Sequence, residues 1–147
     1  MSSTFERVAV GDRWRSPEFV LGDDAESMTA WAGYVHPLFT DENYWRRAGL
    51  PGRPLPGELI LLLLGGLAEQ TGVFDDTTLA LAGFEAVRFL KPVVVGDAIR
   101  LDMGVTRKNL SESGRRGFVT FAWECRNQRD ELVLDALATL AFMTGGG

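Results

Sequence analysis

The feature that most constrains the fold is an apolar stretch at residues 56–71, PGELILLLLGGLAEQT. Residues 59–67 carry no charge, whereas a helix on a protein surface normally keeps one polar face. A helix of this length would span about 24 Å, and a membrane span needs about 20 apolar residues. The stretch is therefore too short and too polar at its end to cross a bilayer. The sequence predicts one buried helix that the rest of the chain surrounds.

The ends of this helix carry residues typical of helix boundaries. Pro56 and Gly57 suit its start, and Gly72 suits its stop. Each glycine inside a helix costs about 1 kcal/mol relative to alanine. The adjacent pair Gly65 and Gly66 therefore needs a structural reason, and we expect another backbone to pack closely against it.

Three later segments alternate apolar with polar residues, which marks strands with one buried face. The apolar sets are Ile99, Leu101, Met103 and Val105; Val119, Phe121, Trp123 and Cys125; and Leu132, Leu134, Ala136, Ala138, Leu140 and Phe142. Further strands are predicted at residues 19–21 and 83–90, and short helices at residues 25–32 and 41–48. A long central helix wrapped by a curved antiparallel sheet is an α+β arrangement, which is the predicted fold class.

Size and composition fit a single domain, assigned to residues 1–147 with an ordered core at about 5–143. The net charge of −5 argues against nucleic acid, because nucleic-acid binding requires a basic surface. One histidine and one cysteine do not make a zinc-type cluster, so no metal is expected. The lone Cys125 is interpreted as a buried core thiol. Together with the absence of an apolar leader at residues 1–15, the single cysteine favours a cytoplasmic location.

Four stretches resemble known hot-dog families. Residues 36–44, HPLFTDENY, are similar to the active-site segment G-D-x-N-P-I-H-x-D of the MaoC-like (R)-specific enoyl-CoA hydratases and dehydratases. Residues 57–60 lie where that family has H-G-M-L, and residues 87–97, VRFLKPVVVGD, resemble R-F-x-x-P-V-x-x-G-D. Residues 50–60 also resemble a stretch of the β-hydroxyacyl-ACP dehydratases. The resemblance implies one MaoC-like hot-dog domain.

The resemblance also implies an acid–base site that adds water to an acyl thioester or removes it, and here the chain departs from the pattern. With Pro37 on the family proline, Tyr34 stands at the catalytic aspartate and His36 at the asparagine. Phe39 stands at the catalytic histidine and cannot transfer a proton. The usual Asp/His dyad is thus replaced.

Three residues are candidates for catalysis. Histidine titrates near neutral pH, so His36 is a candidate acid–base group with Tyr34 as its hydrogen-bonding or proton-donating partner; alternatively, His36 only stabilises its loop. Because Pro37 disfavours helical geometry in the residue before it, His36 is placed on an irregular segment. Glu58 is a candidate base, by resemblance to hot-dog thioesterases with a helical carboxylate. Alternatively, it only suits the positive end of the helix dipole.

By the same resemblance, the backbone N–H at Gly57 polarises the thioester carbonyl, which free N–H groups at a helix start can do without any side chain. Phe39 and Leu59 are expected to contact the substrate. Arg88 and Lys91 are candidates to bind the phosphates of coenzyme A or of a carrier protein's phosphopantetheine. Ordinary solvent-exposed charge is the alternative for both.

Three functions stay open from the sequence. The first is a non-standard enoyl-thioester hydratase or dehydratase that uses His36 and Tyr34. The second is a catalytically silent subunit of a heteromeric dehydratase. The third is a hot-dog enzyme of another reaction type, either a thioesterase that uses Glu58 or a biosynthetic enzyme with a polyketide-like substrate.

The expected cofactors and partners follow from the same three candidate functions. No cofactor is expected beyond the substrate's own carrier, coenzyme A or phosphopantetheine. An exposed sheet edge invites association, so we expect a homodimer or a heterodimer with another hot-dog subunit. An acyl carrier protein is a further candidate partner, and neither nucleic acid nor a membrane is expected.

Overall fold

A six-stranded antiparallel sheet curls around one long helix in the computed structural model, which describes residues 3–145. The elements in chain order are α1 Thr4–Arg7, β1 Arg13–Arg15, β2 Phe19–Val20, α2 Asp23–Trp31, α3 Pro37–Thr40, α4 Glu42–Arg47, α5 Gly57–Gln70, β3 Thr78–Phe89, β4 Ala98–Leu110, β5 Arg116–Asn127 and β6 Leu132–Met143. The predicted α+β class is confirmed. Gly146 and Gly147, beyond the predicted ordered core, lie outside the described residues.

The strands follow the order β1-β4-β5-β6-β3, with β2 also paired to β4. Leu101 faces Cys125 across the β4–β5 pair, and Met103 faces Trp123. These apolar sets are buried, as their alternation predicts, except for the half-buried Leu132 at the start of β6. Burial also raises the pKa of the Cys125 thiol to about 12, which agrees with its interpretation as a core residue.

Helix α5 lies against the concave face of the sheet, with Leu64 fully buried and Ile60 and Leu67 each 2% exposed. One face of the helix is nevertheless open. Exposed residues recur along this face every three or four positions: Glu58, Leu62, Gly66 and Glu69. The prediction of burial all round is wrong for this face, because the sheet wraps only the other sides of the helix.

The reason expected for Gly65 and Gly66 is also wrong. Among the described residues, nothing lies within 4 Å of the position that a β-carbon would take at either glycine. Both instead line a groove of about 330 Å³ between α5 and the sheet, together with Leu62, Leu81 and nearby residues. The glycines keep this groove open rather than admitting a backbone.

Strand β3 forms one edge of the sheet and pairs, within residues 3–145, only with β6. Nearly all of its residues are exposed, on both faces of the strand. The exposed apolar side chains on it include Leu79, Leu81, Phe84 and Phe89. A long apolar edge of this kind is a ready site for pairing with another strand.

Several boundaries differ from the sequence prediction. Helix α2 begins at Asp23 rather than residue 25, with Gly22 as its N-cap. Asp41, predicted as the first residue of the helix at 41–48, instead caps α4, because its Oδ1 accepts the Asn43 N–H at 2.9 Å. Strand β3 starts at Thr78, five residues before its predicted start, and α1, β1 and α3 were not predicted. No helix within the described part of the chain is long and apolar enough to cross a membrane.

Candidate active site

The start of α5 presents two free backbone donors. Pro56 is the N-cap, and its carbonyl oxygen accepts the N–H groups of Leu59 at 3.1 Å and Ile60 at 3.3 Å. The N–H groups of Gly57 and Glu58 donate no hydrogen bond within residues 3–145. They lie at the positive end of the helix dipole, so this position suits a carbonyl oxygen that gains negative charge.

Phe89, the last residue of β3, lies directly against this helix start. A β-carbon at Gly57 would lie 2.4 Å from Cε1 of the Phe89 ring, far closer than carbon atoms approach without a clash. Glycine is therefore required here as long as the ring keeps this position. A thioester carbonyl was expected beside Gly57, and the Phe89 ring occupies part of that space.

Tyr34 and Glu58 meet across this helix start. The Tyr34 hydroxyl donates a hydrogen bond to Oε2 of Glu58, and the Tyr34 ring lies edge-on to Phe39 at a centroid distance of 5.2 Å. The hydrogen bond to Glu58, followed by partial burial and the charge of Glu58, raises the pKa of Tyr34 above its ordinary value of 10.0. The phenol therefore stays protonated at neutral pH and remains a donor.

His36 holds its own segment in place. It has extended backbone geometry, as predicted from Pro37, and is the N-cap of α3. Its Nδ1 accepts the Leu38 N–H at 3.0 Å, and its exposed ring lies edge-on to Tyr44 at 5.3 Å. Within the described residues it makes no hydrogen bond to Tyr34 or Glu58. Two of the three candidate catalytic residues are thus brought together, and the third caps a helix beside them.

Two clefts meet at Glu58. The first, here called the Lys91 cleft, has a volume of about 300 Å³ and is lined by Leu55, Gly57, Glu58, Ile60, Phe89, Leu90, Lys91, Pro92, Val93, Val133 and Leu134. The second, here called the Trp31 cleft, has a volume of about 200 Å³ and is lined by Met28, Thr29, Trp31, Ala32, Tyr34, Pro56, Glu58, Leu59 and Leu62. A ligand in either cleft would therefore contact Glu58.

Comparison with known proteins identifies the architecture. No family model matches the sequence, and no curated protein matches it. A monoamine oxidase regulatory protein from Archaeoglobus fulgidus is 28% identical, with a TM-score of 0.87 over 95% of this chain and 94% of that chain. A MaoC-like dehydratase from Rhodospirillum rubrum is 25% identical, with a TM-score of 0.83 over 95% of each chain. The chain has a MaoC-like hot-dog fold.

One more distant structure shares the fold alone. The HadBC (3R-hydroxyacyl-ACP dehydratase) complex from Mycobacterium tuberculosis is 23% identical, with a TM-score of 0.76 over 90% of this chain and 96% of that chain. The resemblance stated from the sequence motifs is therefore confirmed at the level of the fold.

The predicted substrate-binding residues do not lie together in this MaoC-like fold. Leu59 lines the Trp31 cleft, and Lys91 lines the other cleft, with its ammonium paired to Glu131. Phe39 packs on Tyr34 and lines neither cleft. Arg88 also lines neither cleft and makes a two-pronged ion pair with Asp135.

Two further residues of the site were not predicted. Trp31 is 90% exposed and borders the cleft named after it. Phe89 covers the helix start. The place of Phe89 in the R-F-x-x-P segment was a signal that could have identified it. No sequence signal pointed to Trp31, since a tryptophan at the end of a short helix suits a core equally well.

Proposed function

We propose that this chain is an enoyl-thioester hydratase or 3-hydroxyacyl-thioester dehydratase in which Glu58 and Tyr34 replace the usual dyad. The observation that carries the proposal is the Tyr34–Glu58 hydrogen bond beside two free N–H groups. Reversible hydration of an enoyl thioester needs a proton-transfer group and a site for the oxyanion that forms. The MaoC-like dehydratase of similar structure supports this reaction class.

The thioester carbonyl oxygen binds at the Gly57 and Glu58 N–H groups. When water adds to C3 of the enoyl chain, electrons move toward this oxygen and an enolate forms. Donors that already point at the oxygen stabilise the enolate without reorganisation, and the helix dipole adds to their effect. This part of the site needs no aspartate or histidine, so it survives the loss of the dyad.

Glu58 moves the protons. Its carboxylate accepts a proton from water as the water oxygen bonds to C3, and the resulting carboxylic acid returns a proton to C2 when the enolate collapses. The product carries the hydroxyl at C3 and the added hydrogen at C2, and dehydration is the same path in reverse. Tyr34 donates to one carboxylate oxygen and holds the group in place.

A thioesterase is the second candidate, favoured by the position of Glu58 in an open cleft beside the free N–H groups. In that reaction Glu58 directs water to the thioester carbonyl carbon instead of C3. The same donors stabilise the tetrahedral oxyanion. The two reactions differ in product: hydration leaves the thioester intact, whereas hydrolysis releases a free thiol.

One assay separates these candidates. Purified protein is incubated with crotonyl-coenzyme A while enoyl absorbance and free thiol are followed together. We expect loss of enoyl absorbance without thiol release, and a fall of about 10²–10⁴-fold for Glu58→Gln, the usual contribution of a proton-transfer group. His36→Ala should stay within a few-fold of wild type. Thiol release would favour the thioesterase, and a loss confined to His36→Ala would move the acid–base role to His36.

A homodimer is proposed for the free edge, with β3 of one copy paired to β3 of a second. The exposed apolar side chains along β3 support this pairing, since it covers them and satisfies the edge backbone. Leu81, 50% exposed on β3, gives the test variant, and Leu110, 60% exposed on β4, gives a matched control. In analytical ultracentrifugation Leu81→Asp should yield monomer and Leu110→Asp should leave the dimer. Monomeric wild-type protein would contradict the homodimer and favour a heteromeric partner.

A further inference from the structure

We infer that the two clefts divide the substrate between them: the Trp31 cleft takes the acyl chain, and the Lys91 cleft takes the polar carrier arm. In this arrangement Trp31 determines which chain lengths bind well. The inference rests on the proposed thioester chemistry at Glu58. It adds a specificity residue that the sequence did not indicate.

Beyond its Glu58 end, the side chains that line the Trp31 cleft leave no hydroxyl or charged group free for a polar ligand. The Thr29 hydroxyl already donates to the Ala25 carbonyl oxygen at 2.8 Å, and the Tyr34 hydroxyl donates to Glu58. The remaining walls are apolar side chains and Pro56. Burial of hydrocarbon gains about 25 cal/mol per Å², whereas a polar group placed there would lose its hydrogen bonds to water. The occupant that fits is an alkyl chain.

The open end of this cleft carries two exposed apolar side chains, one from each helix. Trp31 is the last residue of α2 and is 90% exposed, while Leu62 on α5 is 63% exposed. Exposed apolar side chains that adjoin one another beside a cleft form the kind of patch that marks a ligand-binding groove. An acyl chain that leaves Glu58 along this cleft would cover both side chains, so the chain and the protein bury apolar surface together.

The cleft, about 200 Å³ in volume, is open beside Trp31, so its apolar walls extend beyond a short acyl group. Each methylene group that these walls bury gains about 0.8 kcal/mol. Affinity should therefore rise from a four-carbon to an eight-carbon acyl group.

The Lys91 cleft differs in the groups that stand among its walls. Most of its lining is apolar, but it also includes the start of α5 at Gly57, Glu58 and Lys91. Lys91 pairs with Glu131, which also accepts hydrogen bonds from Asn127 and Arg129. Lys91 can therefore turn to a phosphate while Glu131 keeps two partners. The apolar walls suit the hydrocarbon parts of a pantetheine-type arm, and Lys91 suits its phosphate.

The test for Trp31 measures binding alone. Acetyl- and octanoyl-coenzyme A are titrated calorimetrically into wild type, Trp31→Ala, Trp31→Phe and Val35→Ala; Val35 is 81% exposed and lines neither cleft. We expect wild type to prefer the octanoyl compound, and Trp31→Ala to weaken it about tenfold with acetyl binding unchanged. Trp31→Phe should keep most of the preference, and Val35→Ala all of it.

Two outcomes would overturn the role of Trp31. One is equal binding of both chain lengths by wild type; the other is a Trp31→Ala variant that alters oligomeric mass without altering chain preference, which would make Trp31 an interface residue. The calorimetric titration measures binding without turnover. A chain preference in a protein that does not hydrate crotonyl-coenzyme A would therefore refute the proposed function and leave the acyl cleft standing.

The carrier arm is tested with a truncated thioester. Lys91→Ala should raise KM about tenfold for crotonyl-coenzyme A and leave it unchanged for S-crotonyl-N-acetylcysteamine, which has no phosphate. Arg7→Ala, at a basic residue that pairs with Asp75 and lines neither cleft, should not change the ratio of the two KM values. An equal effect of Lys91→Ala on both substrates would refute the assignment of this cleft to the carrier arm.

Discussion

Gly57→Ala is the change that most severely tests the packing at the start of α5. The new methyl group would lie 2.4 Å from the Phe89 ring, so the ring must swing out. Phe89 is 54% exposed, so slightly less than half of its side chain is in contact with the protein. A fully packed aromatic side chain buries 150–250 Å², which makes the buried area of Phe89 roughly 80 Å². At about 25 cal/mol per Å², losing this contact costs at most about 2 kcal/mol.

The better helix propensity of alanine offsets part of this cost, by up to about 1 kcal/mol. We expect Gly57→Ala to destabilise the protein by about 1–2 kcal/mol, which lowers Tm by roughly 3–6 °C for a chain of this size. In a Phe89→Ala background the clash is absent, and Gly57→Ala should be neutral or stabilising.

The assay is urea unfolding followed by circular dichroism on wild type, both single variants and the double variant. The free energy of unfolding should show a coupling of about 2 kcal/mol between the two sites, well above the roughly 0.5 kcal/mol seen for independent sites. Additive single effects would refute the conclusion that Phe89 makes glycine necessary at this position.

Three further predictions concern the core and the charged groups. Leu64→Ala, at a fully buried position, should lower the free energy of unfolding by about 3 kcal/mol in urea titrations; a loss below about 1 kcal/mol would contradict its central place. Glu58→Gln should lower the pKa of Tyr34 toward 10.0, because the hydrogen bond to a carboxylate is its main cause; an unchanged phenolate absorbance titration would contradict this. The pKa of Glu131 is lowered to about 2, first by Lys91, so its stabilisation is present above pH 4.5 and is lost as the pH falls toward 2. Glu131→Gln should therefore destabilise at pH 7 but not near pH 2 in thermal melts; an equal loss at both pH values would refute the linkage.

The buried elements could be predicted because burial leaves a pattern in the sequence. The uncharged run at residues 59–67 indicated α5, and the alternation in β4, β5 and β6 gave their inward faces. The start of strand β3 was predicted five residues too late. This strand is an edge exposed on both faces, so neither face imposes alternation on its first residues.

The site was only partly predictable, for a different reason. Tyr34 and Glu58 were each identified from their places in family motifs, but their hydrogen bond joins residues 24 positions apart. No local spacing reports such a contact, and the sequence paired Tyr34 with nearby His36 instead. The open groove at Gly65 and Gly66 was missed because a glycine pair looks the same whether a backbone packs on it or nothing does.

The role of Glu58 in proton transfer is tested most directly by hydration of crotonyl-coenzyme A in D₂O, with deuterium at C2 measured by mass spectrometry. Wild type should deliver one deuterium to C2. Glu58→Gln should do so at least about 100-fold more slowly, and His36→Ala at close to the wild-type rate. Labelling by Glu58→Gln at the wild-type rate, or its loss in His36→Ala alone, would contradict a proton-transfer site built on Glu58 and Tyr34.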